Sequence, residues 1–249
     1  MHPQGSPSTP DENENRASLS GWGAVAQTLT TLGRLKRLRR TGWLDRGVPV
    51  ELAESVADHT FRVALLSWMV AIERRGDSEA AVDPSRVLLI ALAHDLPEAI
   101  AGDPTPYGRS AVPPSSDPQA RRAFLQRRQE RDPGLAVDKR RAERLAMESL
   151  LAELPVSIAE QLRGAWREYE EQATPDARLV KQADRLETYL QSREYLAEDP
   201  ALPMASFALQ VADPTTLPDS AMRELRDAIE RMTRDMEHPA QEQAPDAIT

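Results

Sequence analysis

Histidines and carboxylates are the residues of this chain that could hold a metal ion or move protons. The chain has no cysteine and only four histidines, so a metal must be held by imidazole and carboxylate groups. His2 and His238 fall in or beside polar ends of the chain, which leaves His59 and His94 as usable imidazole ligands. A mixed nitrogen and oxygen set suits Mn, Co, Fe, Ni or Zn, and Mg is a further candidate.

Carboxylates accompany these histidines in the sequence. Asp95 directly follows His94 inside an apolar stretch, VLLIALAHDLPEAI, and Glu98 follows on a neighbouring part of the same predicted helical face. Taken alone, His94 and Asp95 are equally explained by hydrogen bonds within a core. Asp184 lies at the edge of the apolar stripe of LVKQADRLETYL, where a solvated acid is the alternative.

Charge is distributed unevenly along the chain. The formal net charge is −9 and the pI is near 5.1, which argues against partners such as nucleic acid or an anionic membrane and favours a small molecule. Six basic residues nevertheless fall between positions 34 and 46, where they would attract an anionic ligand, although a solvated basic face is the usual alternative. No apolar run of about 18 residues is present, and we expect a cytoplasmic protein.

Helices must position these groups, because apolar residues recur at intervals of three and four and strand-like alternation is absent. This pattern predicts an all-α domain of about seven helices over residues 18–237. Asp83 before Pro84 and Thr174 before Pro175 mark two helix starts. Further amphipathic stretches cover roughly 138–153, 156–172 and 219–236.

The remaining segments have a different composition. Residues 1–17 and 238–249 are polar and predict disordered tails. Residues 107–138 combine several prolines with a patch rich in arginine and predict an extended excursion with one short helix. The sequence does not reveal the role of this excursion.

The order and spacing of these motifs resemble a known family. His59 precedes His94 by 35 residues and Asp95 precedes Asp184 by 89, as is typical of the HD-domain metal phosphohydrolases. The match is closer to the HD-domain 5′-deoxynucleotidases and covers roughly residues 25–200. It rests on RTGW (40–43), ESVADH (54–59), HDLPEAIAGD (94–103), EYE (168–170) and LVKQADRLE (179–187).

The resemblance implies an all-α HD-domain bundle in which His59, His94, Asp95 and Asp184 bind one divalent metal cation. It also implies a homodimer that hydrolyses nucleoside 5′-monophosphates. Glu98 and Asp103 correspond to functional acids of that family, without a division of acid and base roles between them. Without this resemblance, a helix salt bridge and a turn acid would be the better interpretations of Glu98 and Asp103.

The resemblance further assigns substrate contacts. Arg40 corresponds to the arginine that orients the phosphate, and Trp43 to a wall for the sugar or base. We expect the GDPTP loop, residues 102–106, to contact the nucleotide through Asp103 and Thr105. Lys181 is expected to reach the phosphate, with an ordinary surface position as its alternative.

Three functions are therefore compatible with the sequence. The leading hypothesis is a metal-dependent phosphohydrolase that converts (deoxy)nucleoside 5′-monophosphates to nucleoside and phosphate. A second hypothesis keeps the chemistry but changes the substrate to a modified nucleotide or another small phosphomonoester. A third is a regulatory HD domain that binds nucleotide without turnover.

Overall fold

A computed structural model describes residues 10–74, 82–130 and 132–237 of the chain. Within these ranges the fold is all-α, as predicted, and seven helices have ten or more residues. These are α1 (Pro10–Leu32), α3 (Val56–Glu73), α4 (Pro84–Ala93), α7 (Pro133–Leu151), α8 (Val156–Glu171), α9 (Pro175–Glu198) and α11 (Ser220–Glu237). The shorter helices are α2 (Thr41–Asp45), α5 (Glu98–Ala101), α6 (Pro118–Leu125) and α10 (Ala205–Ala212), and 3₁₀ turns occur at Gly33–Lys36 and Arg109–Ala111.

The predicted tails and excursion are described in part. Residues 1–9 and 238–249 lie outside the described residues, whereas residues 10–17, assigned to the N-terminal tail from sequence, form the start of α1. The excursion 107–138 holds the second 3₁₀ turn, the short helix α6 and the first residues of α7.

Side-chain caps explain where several helices begin. Ser55 and Asp58 form a reciprocal capping box at the start of α3, in which each side chain accepts a hydrogen bond from the other residue's backbone N–H. Asp83 accepts from the N–H of Ser85 at the start of α4, and Thr174 accepts from the N–H of Ala177 in α9. Both predicted helix starts, each with a proline in the first turn, are therefore present.

The apolar stretch around His94 is broken where the sequence predicts one continuous helix. Helix α4 ends at Ala93, residues 94–97 form a turn, and α5 begins at Glu98. Pro97 is the physical reason, because proline has no N–H to donate and its ring clashes with the carbonyl of the preceding turn. His94 and Asp95 thus lie in a turn, while Glu98 lies on a separate short helix.

Helix α9 is at the centre of the fold and packs against α3, α4, α8, α10 and α11. Its buried side includes Leu179, Ala183 and Leu186, which join one continuous core with apolar residues of α3, α4, α8 and α11. A smaller apolar cluster surrounds Trp43 of α2, with Tyr195 of α9 among its members. Asp184 is thereby carried on a helix that neighbouring helices fix from several sides.

No helix in the part of the chain that the structure describes is both long enough and apolar enough to cross a membrane.

Truncation of the central core should destabilise the fold measurably. Leu186 is completely buried in α9, so Leu186→Ala should lower the free energy of unfolding by about 2–5 kcal/mol. Leu145→Ala in α7 is the matched control, since Leu145 is 58% exposed, and it should change that free energy by less than about 0.5 kcal/mol. Urea unfolding of both variants measures the difference, and equal effects would contradict this packing.

Candidate active site

The two histidines expected to bind metal lie close together inside the protein. His59 of α3 is fully buried and His94, directly after α4, is 3% exposed. The Nε2 atoms of both rings are buried and make no hydrogen bond within the described residues. Both histidines and Asp184 of α9 offer ligand atoms that lie within 4.8 Å of one another.

Asp95 lies beside the two histidines and Asp184. Its Oδ2 atom lies 3.1 Å from Nε2 of His94 and 3.9 Å from Nε2 of His59, while Oδ1 of Asp184 lies 3.2 Å from Nε2 of His59. Two buried imidazole nitrogens without a hydrogen-bond partner are costly unless something binds them. A divalent cation would satisfy both nitrogens together with the two carboxylates, so the residues present fit such an ion.

The opposite ring nitrogens of both histidines are held by hydrogen bonds. Nδ1 of His59 is bonded to the carboxylate of Glu187, which is fully buried and also lies 3.2 Å from the guanidinium Nε of Arg62. Nδ1 of His94 lies 2.6 Å from the carbonyl oxygen of Ala91 and donates to it. These contacts fix each ring with the Nε2 lone pair directed at the site, as in many metal centres.

Asp184 is oriented by two donors. Its Oδ2 atom accepts hydrogen bonds from the hydroxyl of Tyr169, at 2.6 Å, and from Nζ of Lys181, at 3.0 Å. Burial alone would raise the pKa of Asp184, but opposing contributions, led by the positive charge of Lys181, outweigh burial and hold it well below its ordinary value. Asp184 is therefore a fixed, ionised carboxylate.

A cavity of about 460 Å³ adjoins this group. Eight of the ten residues predicted for the site line it: Arg40, Trp43, Asp95, Glu98, Asp103, Thr105, Lys181 and Asp184. His59 and His94 lie in the protein interior next to it. The structure thus brings all the predicted site residues together, although they come from segments far apart in the sequence.

Glu98 and Arg40 differ sharply in their electrostatic surroundings. Burial, followed by the negative charges of Asp95 and Asp103, raises the pKa of Glu98 well above its ordinary value. Burial alone would lower the pKa of Arg40, but Asp103 and Asp95 raise it, so the guanidinium stays charged. The cavity therefore combines a carboxyl group whose pKa is raised with a permanent cation.

Asp103 also has a structural contact. Its Oδ2 atom accepts a hydrogen bond of 2.6 Å from the N–H of Thr41, and its carbonyl oxygen accepts one of 2.7 Å from the Thr41 hydroxyl. Gly102 directs the chain into this loop with a φ of 80°, a left-handed conformation that glycine adopts without strain. The GDPTP loop is thereby attached to the RTGW segment that carries Arg40.

Trp43 lines the cavity but is only 1% exposed. Its Nε1 atom donates a hydrogen bond of 2.7 Å to the carboxylate of Glu54. The centroid of its ring lies 5.2 Å from the ring centroid of Tyr195 and 4.8 Å from that of Phe207. Trp43 is consequently both a core residue and a rigid piece of the cavity wall.

Sequence reasoning gave no role to three residues that hold or line the site: Glu187, Tyr169 and Lys139. The first two lie inside motifs quoted for the resemblance. Glu187 follows Asp184 by three residues on α9, so both acids lie near one helical face, which is a readable signal. Lys139 carries no comparable signal in the sequence.

The fold and this set of donors are those of an all-α protein with a candidate metal centre of the HD type. Residues 32–226 match the HD domain family, and the chain belongs to that family.

Known proteins resemble this chain over most of its length. The 5′-deoxynucleotidase HDDC2 of Bos taurus is 35% identical over 181 residues, and that of Homo sapiens is 33% identical over 181 residues. Each alignment covers 72% of this chain and 72% of the relative. A conserved hypothetical protein from Pyrococcus furiosus has a similar structure, with a TM-score of 0.60 and 29% identity over 83% of this chain and 99% of that one.

Removal of one carboxylate from the group should release the metal. We expect Asp184→Asn to lose most of its bound divalent ion, because the amide lacks the charge that binds a cation. Asp227→Asn in α11 is the matched control and should retain the ion. Elemental analysis of the purified proteins measures both, and full metal content in Asp184→Asn would contradict the assignment of this ligand.

Proposed function

We propose that this protein is a metal-dependent phosphohydrolase that cleaves deoxynucleoside 5′-monophosphates to nucleoside and phosphate. One observation carries the proposal: two buried imidazole Nε2 atoms without hydrogen-bond partners converge with aspartate carboxylates beside a cavity that contains cationic side chains. The relatives named 5′-deoxynucleotidase support the substrate class, since they align with more than two thirds of this chain.

In this proposal His59, His94, Asp95 and Asp184 hold one divalent cation, whose identity among Mn, Co, Fe, Ni, Zn and Mg is open. Such an ion supplies positive charge to phosphoryl oxygens and lowers the pKa of water. Glu187 and Tyr169 would position these ligands, because they hydrogen-bond to Nδ1 of His59 and Oδ2 of Asp184 and leave Nε2 and Oδ1 to a cation.

Arg40 and Lys181 bind the phosphate. Arg40 can present two parallel N–H groups to a phosphate, and its neighbouring carboxylates keep it charged. Lys181 lies in the same cavity, where Asp184 and the hydroxyl of Tyr169 restrain its ammonium group. The ammonium of Lys181 is thus held in place before a substrate enters, and Arg40 is charged.

Glu98 and Asp103 manage protons. The raised pKa of Glu98 suits a general acid that protonates the departing 5′-alkoxide, a group too basic to leave readily without a proton. Asp103 accepts a hydrogen bond from the N–H of Thr41, which fixes the side chain that orients or deprotonates the attacking water. Trp43 and Thr105 border the space left for the sugar and base.

Assembly and location form part of the same proposal. The resemblance to HD-domain 5′-deoxynucleotidases supports a homodimer, and the net charge of −9 supports a small-molecule substrate rather than nucleic acid or an anionic membrane. A cytoplasmic location remains the expectation from the sequence pattern. Light scattering of the purified protein distinguishes a dimer from a monomer.

Phosphate release from a panel of nucleotides tests the proposed function. Chelated protein is resupplied in turn with Mn²⁺, Co²⁺, Mg²⁺ or Zn²⁺ and incubated with each common dNMP and NMP. We expect turnover to require the metal and to favour dNMPs. Turnover only of other phosphomonoesters would instead support the second hypothesis from sequence, and nucleotide binding without turnover would support the regulatory one.

The proton-donor role of Glu98 predicts a specific loss. Glu98→Gln keeps the shape of the side chain but has no carboxyl proton to transfer, so kcat should fall by about 10²–10⁴-fold while the metal stays bound. Glu148→Gln, at a more exposed carboxylate of α7, is the matched control. Steady-state kinetics with the preferred dNMP measure both, and an unchanged kcat in Glu98→Gln would reduce Glu98 to a structural acid.

A further inference from the structure

Besides Arg40 and Lys181, four basic side chains from outside the predicted site line the cavity: Arg46, Arg128, Lys139 and Arg185. The chain contains only three lysines, and two of them, Lys139 and Lys181, line this cavity. Lys139 lies on α7, which packs against α5, the short helix that begins with Glu98. Lys139 is therefore on the side of the cavity formed by α7, whereas Lys181 comes from α9.

Glu143 restrains Lys139. The two residues are one helical turn apart on α7, and the ammonium of Lys139 forms an ion pair with Oε1 of Glu143. The side chain of Glu143 is 5% exposed, and its Oε2 atom has no hydrogen-bond partner within the described residues. An ion pair this buried is weak support for stability, since apolar residues of similar volume often serve at least as well. Because Lys139 lines the cavity, a role in ligand binding is a better explanation of this ion pair than stability.

Lys139 lies where two cavities meet. A second cavity, of about 500 Å³, shares Asp103, Pro104, Thr105, Tyr107 and Lys139 with the first. The ammonium group therefore neighbours the GDPTP loop, which is expected to contact the nucleotide. The positive charge of Lys139 also lowers the pKa of Glu98, consistent with its location on that side.

Acidic side chains in the cavity make the position and free donors of each cation important. Five acidic side chains line it: Asp95, Glu98, Asp103, Glu170 and Asp184. A phosphate dianion would be repelled by the ionised members of this group unless cations with available donors face it. Arg46, Arg128 and Arg185 also line the cavity, but each guanidinium already donates elsewhere in the protein. Arg46 donates to Gly42, Leu125 and Ser206, Arg128 to Asp213, and Arg185 to the carbonyl oxygen of Thr216. The ammonium of Lys139 has three N–H donors, of which its contact with Glu143 uses one within the described part of the chain.

We propose that Lys139 is a further phosphate-binding residue, whose ammonium group contacts a phosphate oxygen of the substrate from the α7 side of the cavity. Glu143 is a positioning residue that holds this ammonium in place. The inference rests on the proposed function, because it assigns Lys139 to the substrate phosphate of that reaction.

Titration calorimetry with inorganic phosphate tests this assignment without turnover. In metal-loaded protein, Lys139→Met should raise the Kd for phosphate by about 10-fold to 100-fold, the range for loss of a hydrogen bond to a charged group. Lys139→Arg keeps the charge and should retain most of the affinity. Lys36→Met, in an exposed 3₁₀ turn that lines neither cavity, is the matched control and should bind phosphate like the parent.

A second variant separates a loss of phosphate binding from a loss of the fold. Lys139→Met leaves Glu143 buried without its cation, so the double variant Lys139→Met/Glu143→Leu removes both charges and should retain the fold. Its Kd for phosphate should rise as in Lys139→Met, whereas inhibition by the product nucleoside, which has no phosphate, should be unchanged. A parental Kd for phosphate in the folded double variant would overturn the proposal.

The experiments distinguish a failure of the proposed function from a failure of the role proposed for Lys139. If the parent releases phosphate from dNMPs and the Lys139 variants bind phosphate normally, the proposed function stands and the role of Lys139 is wrong. If the parent releases no phosphate from any dNMP but the Lys139 variants lose affinity for phosphate, the assignment of Lys139 as a phosphate-binding residue stands and the proposed function fails.

Discussion

The structure depends on one costly arrangement, the burial of two imidazole Nε2 atoms that have no hydrogen-bond partner among the described residues. Desolvation of such groups destabilises a fold unless a ligand compensates for it. His59 and His94 come from different helical segments, and the core between α3, α4 and α9 keeps their rings 5.6 Å apart. Packing among these helices therefore does more than stabilise the domain, because it fixes the distances on which metal binding depends.

Helix α9 joins the core to the site. Leu179, Ala183 and Leu186 face the apolar interior, while Asp184 and Glu187 contact His59 through its two opposite ring nitrogens. A single helix thus supplies a ligand for the cation and the partner that orients another ligand. Rotation of α9 about its axis would disturb both contacts together, which explains why neighbours pack against it on several sides.

Sequence was sufficient for the features that depend on local pattern or on scarce residue types. The seven long helices follow from apolar spacing. The two proposed histidine ligands follow because only His59 and His94 were usable imidazoles, whereas Asp95 and Asp184 were proposed from the family resemblance. The break between α4 and α5 could have been predicted from Pro97. The position of Lys139 in the cavity wall could not have been predicted, because it depends on how α7 packs against α5. No local sequence pattern encodes a contact between these two segments.

The charge of the whole protein and the charge of the cavity have different consequences. A net charge of −9 would repel a nucleotide at long range, but salt screens that field within about 10 Å. Recognition therefore depends on cations inside the cavity. Lys181 is paired with Asp184 and Lys139 with Glu143, so each ammonium is held in position by a carboxylate. Cations restrained in advance need little reorganisation when a phosphate arrives, and this is the condition under which electrostatic stabilisation of a transition state is strongest.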